Sequence, residues 1–235
     1  MADFASVIAT GIDACKGGWV AVTLGPGAEA GVTVAAVNVA AAITDLELPG
    51  VTGIDMPLGL LSDGWRTADA LARRALGRRG VTVFAIPPRP VWESGSYAEA
   101  NAACRELTGR GLSAQTWGLR TRLREADGFR ATCPVPLYEV HPELSFSALA
   151  GAPVPVSKHS AEGLAVRREL LSATGITLPA GRAPAAGSAA RAGTDDVLDA
   201  AAAAWSARRI IRGTTVVLTD PAQVADDGRE IAIRY

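Results

Sequence analysis

Twice within the first 55 residues a short apolar run stops at the same tripeptide, Gly11-Ile12-Asp13 and Gly53-Ile54-Asp55. The runs are Val7 to Ile12 and Val51 to Asp55, and their β-branched apolar composition predicts strands. A carboxylate at the end of a buried strand is costly unless something pairs with it. Two of them on neighbouring strands repel, and a divalent cation removes that penalty. Taken singly, each aspartate also suits a turn or a helix cap. The repetition of the context favours a shared role.

A third acidic element lies near the C-terminus, Asp195-Asp196-Val197-Leu198-Asp199-Ala200. Thr194 is the expected cap of a long helix, Asp195 to Ile211. Asp196 and Asp199, three residues apart, fall on one helix face. Ala200, Ala203 and Ala207 continue that face, and such small side chains let a helix lie close to a sheet. The carboxylates then reach the strand ends that carry Asp13 and Asp55. The helix dipole accounts for Asp195 and Asp196 in the first turn, but not for Asp199 beyond it. With only two histidines in the chain, the donors are all oxygen, which suits magnesium or manganese. Two such ions about 3.5–4 Å apart activate water and stabilise a leaving oxygen in phosphodiester displacement.

The remaining pattern is α/β. Trp19 to Leu24 and Val32 to Val39 read as two further strands, giving with the first an antiparallel meander broken at Gly17-Gly18 and Gly25-Pro26-Gly27. A short helix, Ala40 to Asp45, precedes the fourth strand. Helices are expected over Thr67 to Leu76, Tyr97 to Leu107, Ser113 to Ala126 and Ala161 to Ala173. Pro87-Pro88-Arg89-Pro90 reads as a rigid loop, Val135 to Val140 as a strand, and Pro179 to Gly193 as a mobile loop. Thr215 to Leu218 and Ile231 to Arg234 read as terminal strands. A mixed sheet flanked by helices follows, as one domain over 1–235 with a helical insertion at about 65–130.

Several blocks together resemble a bacterial and archaeal family of predicted ribonuclease-H-like nucleases. They are Gly11 to Trp19, Ile54 to Leu60, Arg73 to Gly77, Val83-Phe84 with Pro87-Pro88-Arg89, Glu139-Val140-His141-Pro142-Glu143, Ser157-Lys158 with Gly163, and Asp195 to Ala200. They span nearly the whole chain in order. The resemblance implies a ribonuclease-H-like sheet and a divalent-metal-dependent nuclease whose Mg2+ or Mn2+ is held by Asp13, Asp55, Asp196 and Asp199. The last block is similar to the C-terminal motif of Holliday-junction resolvases, in which the fourth-strand acid is usually glutamate where this chain has Asp55. The resemblance also makes Glu139, His141 and Glu143 secondary candidates, Glu143 as a further ligand or as a base that positions water. The competing role for Glu143 is the first turn of a proline-started helix.

Arg73, Arg89 and Lys158 are the candidate phosphate contacts, alongside Arg167 and Arg168. Trp65, Trp92 and Trp117 are more suited to core positions than to base stacking. The net charge of −1 gives no bulk signature of a nucleic-acid binder, although arginine is concentrated between Arg73 and Arg130. Neither a P-loop nor a dinucleotide fingerprint is present. A phosphotransferase or ATP-binding protein on the same fold would need a second lobe that the chain lacks, and a non-catalytic binding module would not need the full acidic set. Three cysteines without a C-x-x-C pair suit a reduced compartment. No apolar run reaches a membrane-spanning length and the N-terminus lacks a basic region, so a cytoplasmic protein acting on nucleic acid is expected.

Overall fold

The computed structural model describes residues 8–25, 33–179 and 190–235. Strands β1 (Ala9–Cys15), β2 (Gly18–Leu24), β3 (Thr33–Val34) and β4 (Ala36–Ala40) open the chain, and β5 (Val51–Ile54) and β6 (Leu137–Glu139) follow. Five of these form a mixed sheet in the order β4-β2-β1-β5-β6. β2 is antiparallel to β1 and to β4, while β5 runs parallel to β1 and β6 parallel to β5. The Gly17 turn, at φ 76°, closes the first hairpin; glycine accepts that conformation without steric cost. The expected third strand is divided between β3 and β4, and β3 pairs instead with a short strand, β7 (Ile176–Thr177). Val7, Val32 and residues 180–189 of the expected loop lie outside the described residues.

The chain divides into two compact units. The first comprises residues up to Met56, Cys133–Val216 and Arg234–Tyr235. It holds the five-stranded sheet, α6 (Pro142–Ala150), α7 (Ala161–Ser172) and α8 (Thr194–Ile211). The second comprises Pro57–Thr132 and Val217–Ile233. Its elements are α1 (Thr67–Leu76), α2 (Arg89–Glu93), α3 (Tyr97–Thr108), α4 (Ala114–Gly118), α5 (Arg120–Thr132) and the hairpin of β8 (Val217–Val224) with β9 (Glu230–Arg234), whose last residue belongs to the first unit.

In the second unit, Val91, Ala100, Cys104 and Leu112 form a small core, with Trp65 and Trp117 packed against it. Trp92 stacks on Trp117 with ring centres 6.4 Å apart, so the tryptophans take the structural role. The expected helix Ser113 to Ala126 breaks at Leu119 into α4 and α5. The proline loop begins α2, since a proline in the first helical turn removes no hydrogen bond that the helix needs. β8 extends through Asp220 and Pro221, residues that a two-stranded ribbon tolerates because each strand has a free edge.

The first unit is organised around α8. Alanine has the highest helix propensity, and α8 carries five in succession, Ala200 to Ala204, all fully buried. Ala200, Ala201, Ala202 and Ala204 pack with Val20, Val22, Leu24, Phe146, Leu171 and Leu198 into one apolar core. The helix rests directly on the sheet at β1 and β5. A Cβ added at Gly11 would lie 2.0 Å from the Ala200 carbonyl oxygen and 2.1 Å from the Ala204 nitrogen. One added at Gly53 would lie 2.8 Å from the Ala203 oxygen. On the outer side of α8, Ser145 and Ser206 share a buried hydrogen bond of 2.8 Å that ties α6 to α8. Among the described residues no helix is long and apolar enough to cross a membrane.

This close approach predicts a strong asymmetry between glycines. Gly11→Ala is expected to destabilise the protein by about 3 kcal/mol, because helix backbone rather than a flexible side chain occupies the space. Gly128→Ala, in α5 with open space around it, is expected to stabilise by about 0.5–1 kcal/mol. Urea unfolding of both variants beside wild type measures the difference.

Candidate metal centre

The parallel register of β1 and β5 pairs Ile12 with Ile54, and the Asp55 N–H continues the ladder by donating to the Ile12 carbonyl at 2.8 Å. Asp13 and Asp55 therefore follow paired residues and emerge side by side at the same sheet end. The repeated Gly-Ile-Asp has a structural meaning in both halves: the glycine admits α8 and the isoleucine is fully buried. Asp55 directly follows β5, whereas β1 runs two residues beyond Asp13, to Cys15, instead of ending at the aspartate as its apolar run suggests. With α8 held against Gly11 and Gly53, Asp199 reaches the same point. One oxygen from each of Asp13, Asp55 and Asp199 lies within 4.8 Å of the others. Asp13 and Asp199 are buried and Asp55 is partly accessible.

Little satisfies these carboxylates internally. Asp13 Oδ1 accepts the Ala14 N–H at 2.7 Å. Asp199 Oδ2 accepts a hydrogen bond from Lys158 Nζ at 2.5 Å. Asp199 Oδ1 is buried and has no hydrogen-bond partner among the described residues. Burial is the main force that raises the Asp13 pKa well above the usual carboxylate range, with repulsion from Asp55 and Asp199 adding to it. Burial likewise pushes Asp55 up to about 6, against the lowering influence of Lys158, and Asp199 up to about 6 against the same lysine. Glu143 adds repulsion to both. Burial alone would lower the Lys158 pKa, but the attraction of Asp199, Asp55 and Asp13 outweighs it and holds the ammonium above its ordinary range.

An all-carboxylate donor set with an unsatisfied buried oxygen fits a hard divalent cation. It does not fit a soft metal, since none of the three donors is a thiolate or an imidazole. The arrangement also fits chemistry on anions only if a cation is present, because the carboxylates alone would repel a phosphate.

The other candidates divide between different tasks. Asp196 does not join the triad. Its Oδ2 accepts the Gly193 N–H at 2.8 Å, and Gly193 rather than the expected Thr194 is the N-cap of α8. Burial raises its pKa and the Gly193 hydrogen bond opposes the rise. Glu143 sits in the first turn of the proline-started α6, where Oε1 pairs with Arg167 Nη2 at 2.6 Å. Arg167, considered for phosphate contact, is fully buried and also donates to the Gly163 and Val156 carbonyls. Glu139 is buried at the end of β6, one residue beyond which the Val140 N–H donates to Ile54, and His141 is the N-cap of α6.

Arg73 and Arg89 belong to the second unit. Arg73 Nε donates to the Val83 carbonyl at 2.9 Å, and Arg89 is shared between Asp127 at 2.7 Å and Asp226 at 2.6 Å. Lys158, a candidate phosphate contact by sequence, pairs instead with Asp199, 41 residues away. No local pattern carries that pairing.

A stability prediction follows from the raised carboxylates. Protonated Asp55 suits the folded state, so the folded protein binds more protons than the unfolded chain between pH 3.8 and about 6. Stability from this group is present below 3.8 and is lost as pH rises through about 6. In chelator, Asp55→Asn is therefore expected to gain in Tm relative to wild type as pH increases from about 4 to 7. A difference independent of pH would show that folding leaves the Asp55 pKa unshifted.

No curated protein and no solved structure matches the chain. A family model described as "Protein of unknown function (DUF429)" matches residues 11–224, the span that includes both Gly-Ile-Asp tripeptides, the Glu143–Arg167 pair, Lys158 and the whole of α8. The protein belongs to that family.

Proposed function

We propose that the protein is a divalent-metal-dependent nuclease of ribonuclease-H-like fold that hydrolyses phosphodiester bonds in nucleic acid. The observation that carries this reading is the convergence of Asp13, Asp55 and Asp199, drawn from two parallel neighbouring strands and one helix, to within 4.8 Å. The strand order supports it: three antiparallel strands followed by two parallel ones, β4-β2-β1-β5-β6, are what the resemblance to ribonuclease-H-like nucleases implies. So does the position of the acids, within the first strand of that sheet, just after the fourth and in the last helix.

In this reading Asp13, Asp55 and Asp199 hold Mg2+ or Mn2+. When bound, such an ion supplies Lewis-acid stabilisation of the phosphoryl oxygens and lowers the pKa of water. The chain's own residues do the rest. β1, β5 and α8 fix the carboxylates in a rigid frame, which is what catalytic positioning requires. Asp196 secures the first turn of α8 and so the direction in which Asp199 points. Glu143, held by Arg167, adds negative charge next to Asp55 and Asp199 and is the candidate to orient a water. Lys158 is paired with Asp199 and is a candidate phosphate contact in this unit.

Purified protein is expected to cleave at least one of single-stranded DNA, single-stranded RNA, an RNA–DNA hybrid or a four-way junction in Mg2+ or Mn2+. Asp13→Asn and Asp199→Asn are each expected to lower cleavage by about a thousandfold while leaving the circular dichroism spectrum unchanged. Full cleavage by either variant at saturating Mg2+ would remove this site from the reaction.

A further inference from the structure

Lys158 is expected to meet phosphate, yet its ammonium is committed to Asp199. We propose that Lys158 is a displaceable counter-cation, seated on the carboxylates while the divalent ion is absent and driven off Asp199 when that ion binds; this rests on the metal-site reading above.

Three observations carry the inference. The first is the charge arrangement. Three carboxylate oxygens lie within 4.8 Å of one another, and Lys158 is attracted by Asp199, Asp55 and Asp13 together. A divalent ion held by Asp13, Asp55 and Asp199 would face the ammonium that sits 2.5 Å from Asp199 Oδ2, so the two cations repel and compete for the same carboxylates. Asp199 Oδ1, buried and without a hydrogen-bond partner among the described residues, is the oxygen that the lysine leaves unused.

The second observation is how the lysine is mounted. Its backbone is fixed in the turn before α7. Ser160 Oγ donates to the Ser157 carbonyl at 2.8 Å and accepts the Gly163 N–H at 3.0 Å. A Cβ on Gly163 would overlap the Ser157 oxygen. The side chain, however, is 33 % exposed against 2 % for Asp199. A fixed base with a long, partly exposed arm allows the ammonium to swing out while the carboxylate stays in place.

The third is residue choice. The chain has only two lysines, Lys16 and Lys158, against 21 arginines. An arginine here would grip Asp199 through a rigid two-pronged fork, whereas a lysine presents a compact charge on four rotatable bonds. The buried partner of Glu143 in the same unit is an arginine, where a permanent lock is needed.

The primary test is Mn2+ calorimetry on the full-length, metal-stripped chain, with wild type beside Lys158→Met and Asp199→Asn. Removal of the competing charge is expected to tighten Mn2+ binding about tenfold in Lys158→Met, with Asp199→Asn losing binding. Equal or weaker binding by Lys158→Met, with wild type still binding, overturns the displacement and leaves the metal site standing. Failure of wild type and Lys158→Met alike to bind removes the metal site and the inference with it.

A second measurement needs no variant at position 158. Wild type is acetylated in chelator and in saturating Mg2+, and modification at Lys158 and at the exposed Lys16 is read by mass spectrometry. Mg2+ is expected to raise the Lys158 to Lys16 ratio about tenfold as the ammonium leaves Asp199. An unchanged or lower ratio in protein that binds Mn2+ overturns the displacement.

Discussion

The backbone of α8 lies on the sheet at Gly11 and Gly53 with no side chain between, and the geometry of the first unit depends on that contact. The Ala200 and Ala203 carbonyls and the Ala204 nitrogen occupy the positions where strand Cβ atoms would otherwise stand. Close-packed interiors do not absorb an error of this size by relaxing. The contact fixes the height of the helix above the sheet, and with it the reach of Asp199. An aspartate has a short side chain, so a helix seated a few ångströms further out would leave Asp199 unable to approach Asp13 and Asp55.

Having brought three carboxylates together in a largely buried place, the fold must offset their repulsion. It does so only in part. Lys158 supplies one positive charge, Asp13 accepts one backbone hydrogen bond, and Asp55 and Asp199 still have pKa values near 6. Arg89, by contrast, is shared between two carboxylates, Asp127 and Asp226, in the other unit. The incomplete neutralisation at the triad, with one buried oxygen of Asp199 unused, is an electrostatic cost that a bound cation would relieve.

Much of the framework can be read in local patterns because period and composition are local properties. The runs ending in Gly-Ile-Asp are strands and pair in parallel, and Thr194 to Ile211 is helical because it is rich in alanine, acidic at its start and basic at its end. Glu143 falls in the first turn of a proline-started helix, one of its two expected placements. Less of the second unit was legible. Its helices are short, and α4 and α5 are separated at Leu119, directly after Gly118, within a run whose apolar spacing continues across the break. The β8 strand continues through Asp220 and Pro221, residues that usually argue against a strand.

The spacing in Asp195-Asp196-Val197-Leu198-Asp199 determines that Asp196 and Asp199 share a helix face, since a turn repeats every 3.6 residues. It does not determine which of them faces the strand ends. The cap at Gly193 draws Asp196 away, and the seating of the alanines turns Asp199 inward. The same holds for Lys158. Its charge and its place before α7 are written in the chain, but its pairing with Asp199 is not, because 41 residues separate them and only the packing of α7 and α8 in one unit brings them together. Strands, helices and the order of the acids along the chain come from short-range chemistry. Which acids converge, and which cation sits among them, is decided by the distance at which α8 packs on the sheet.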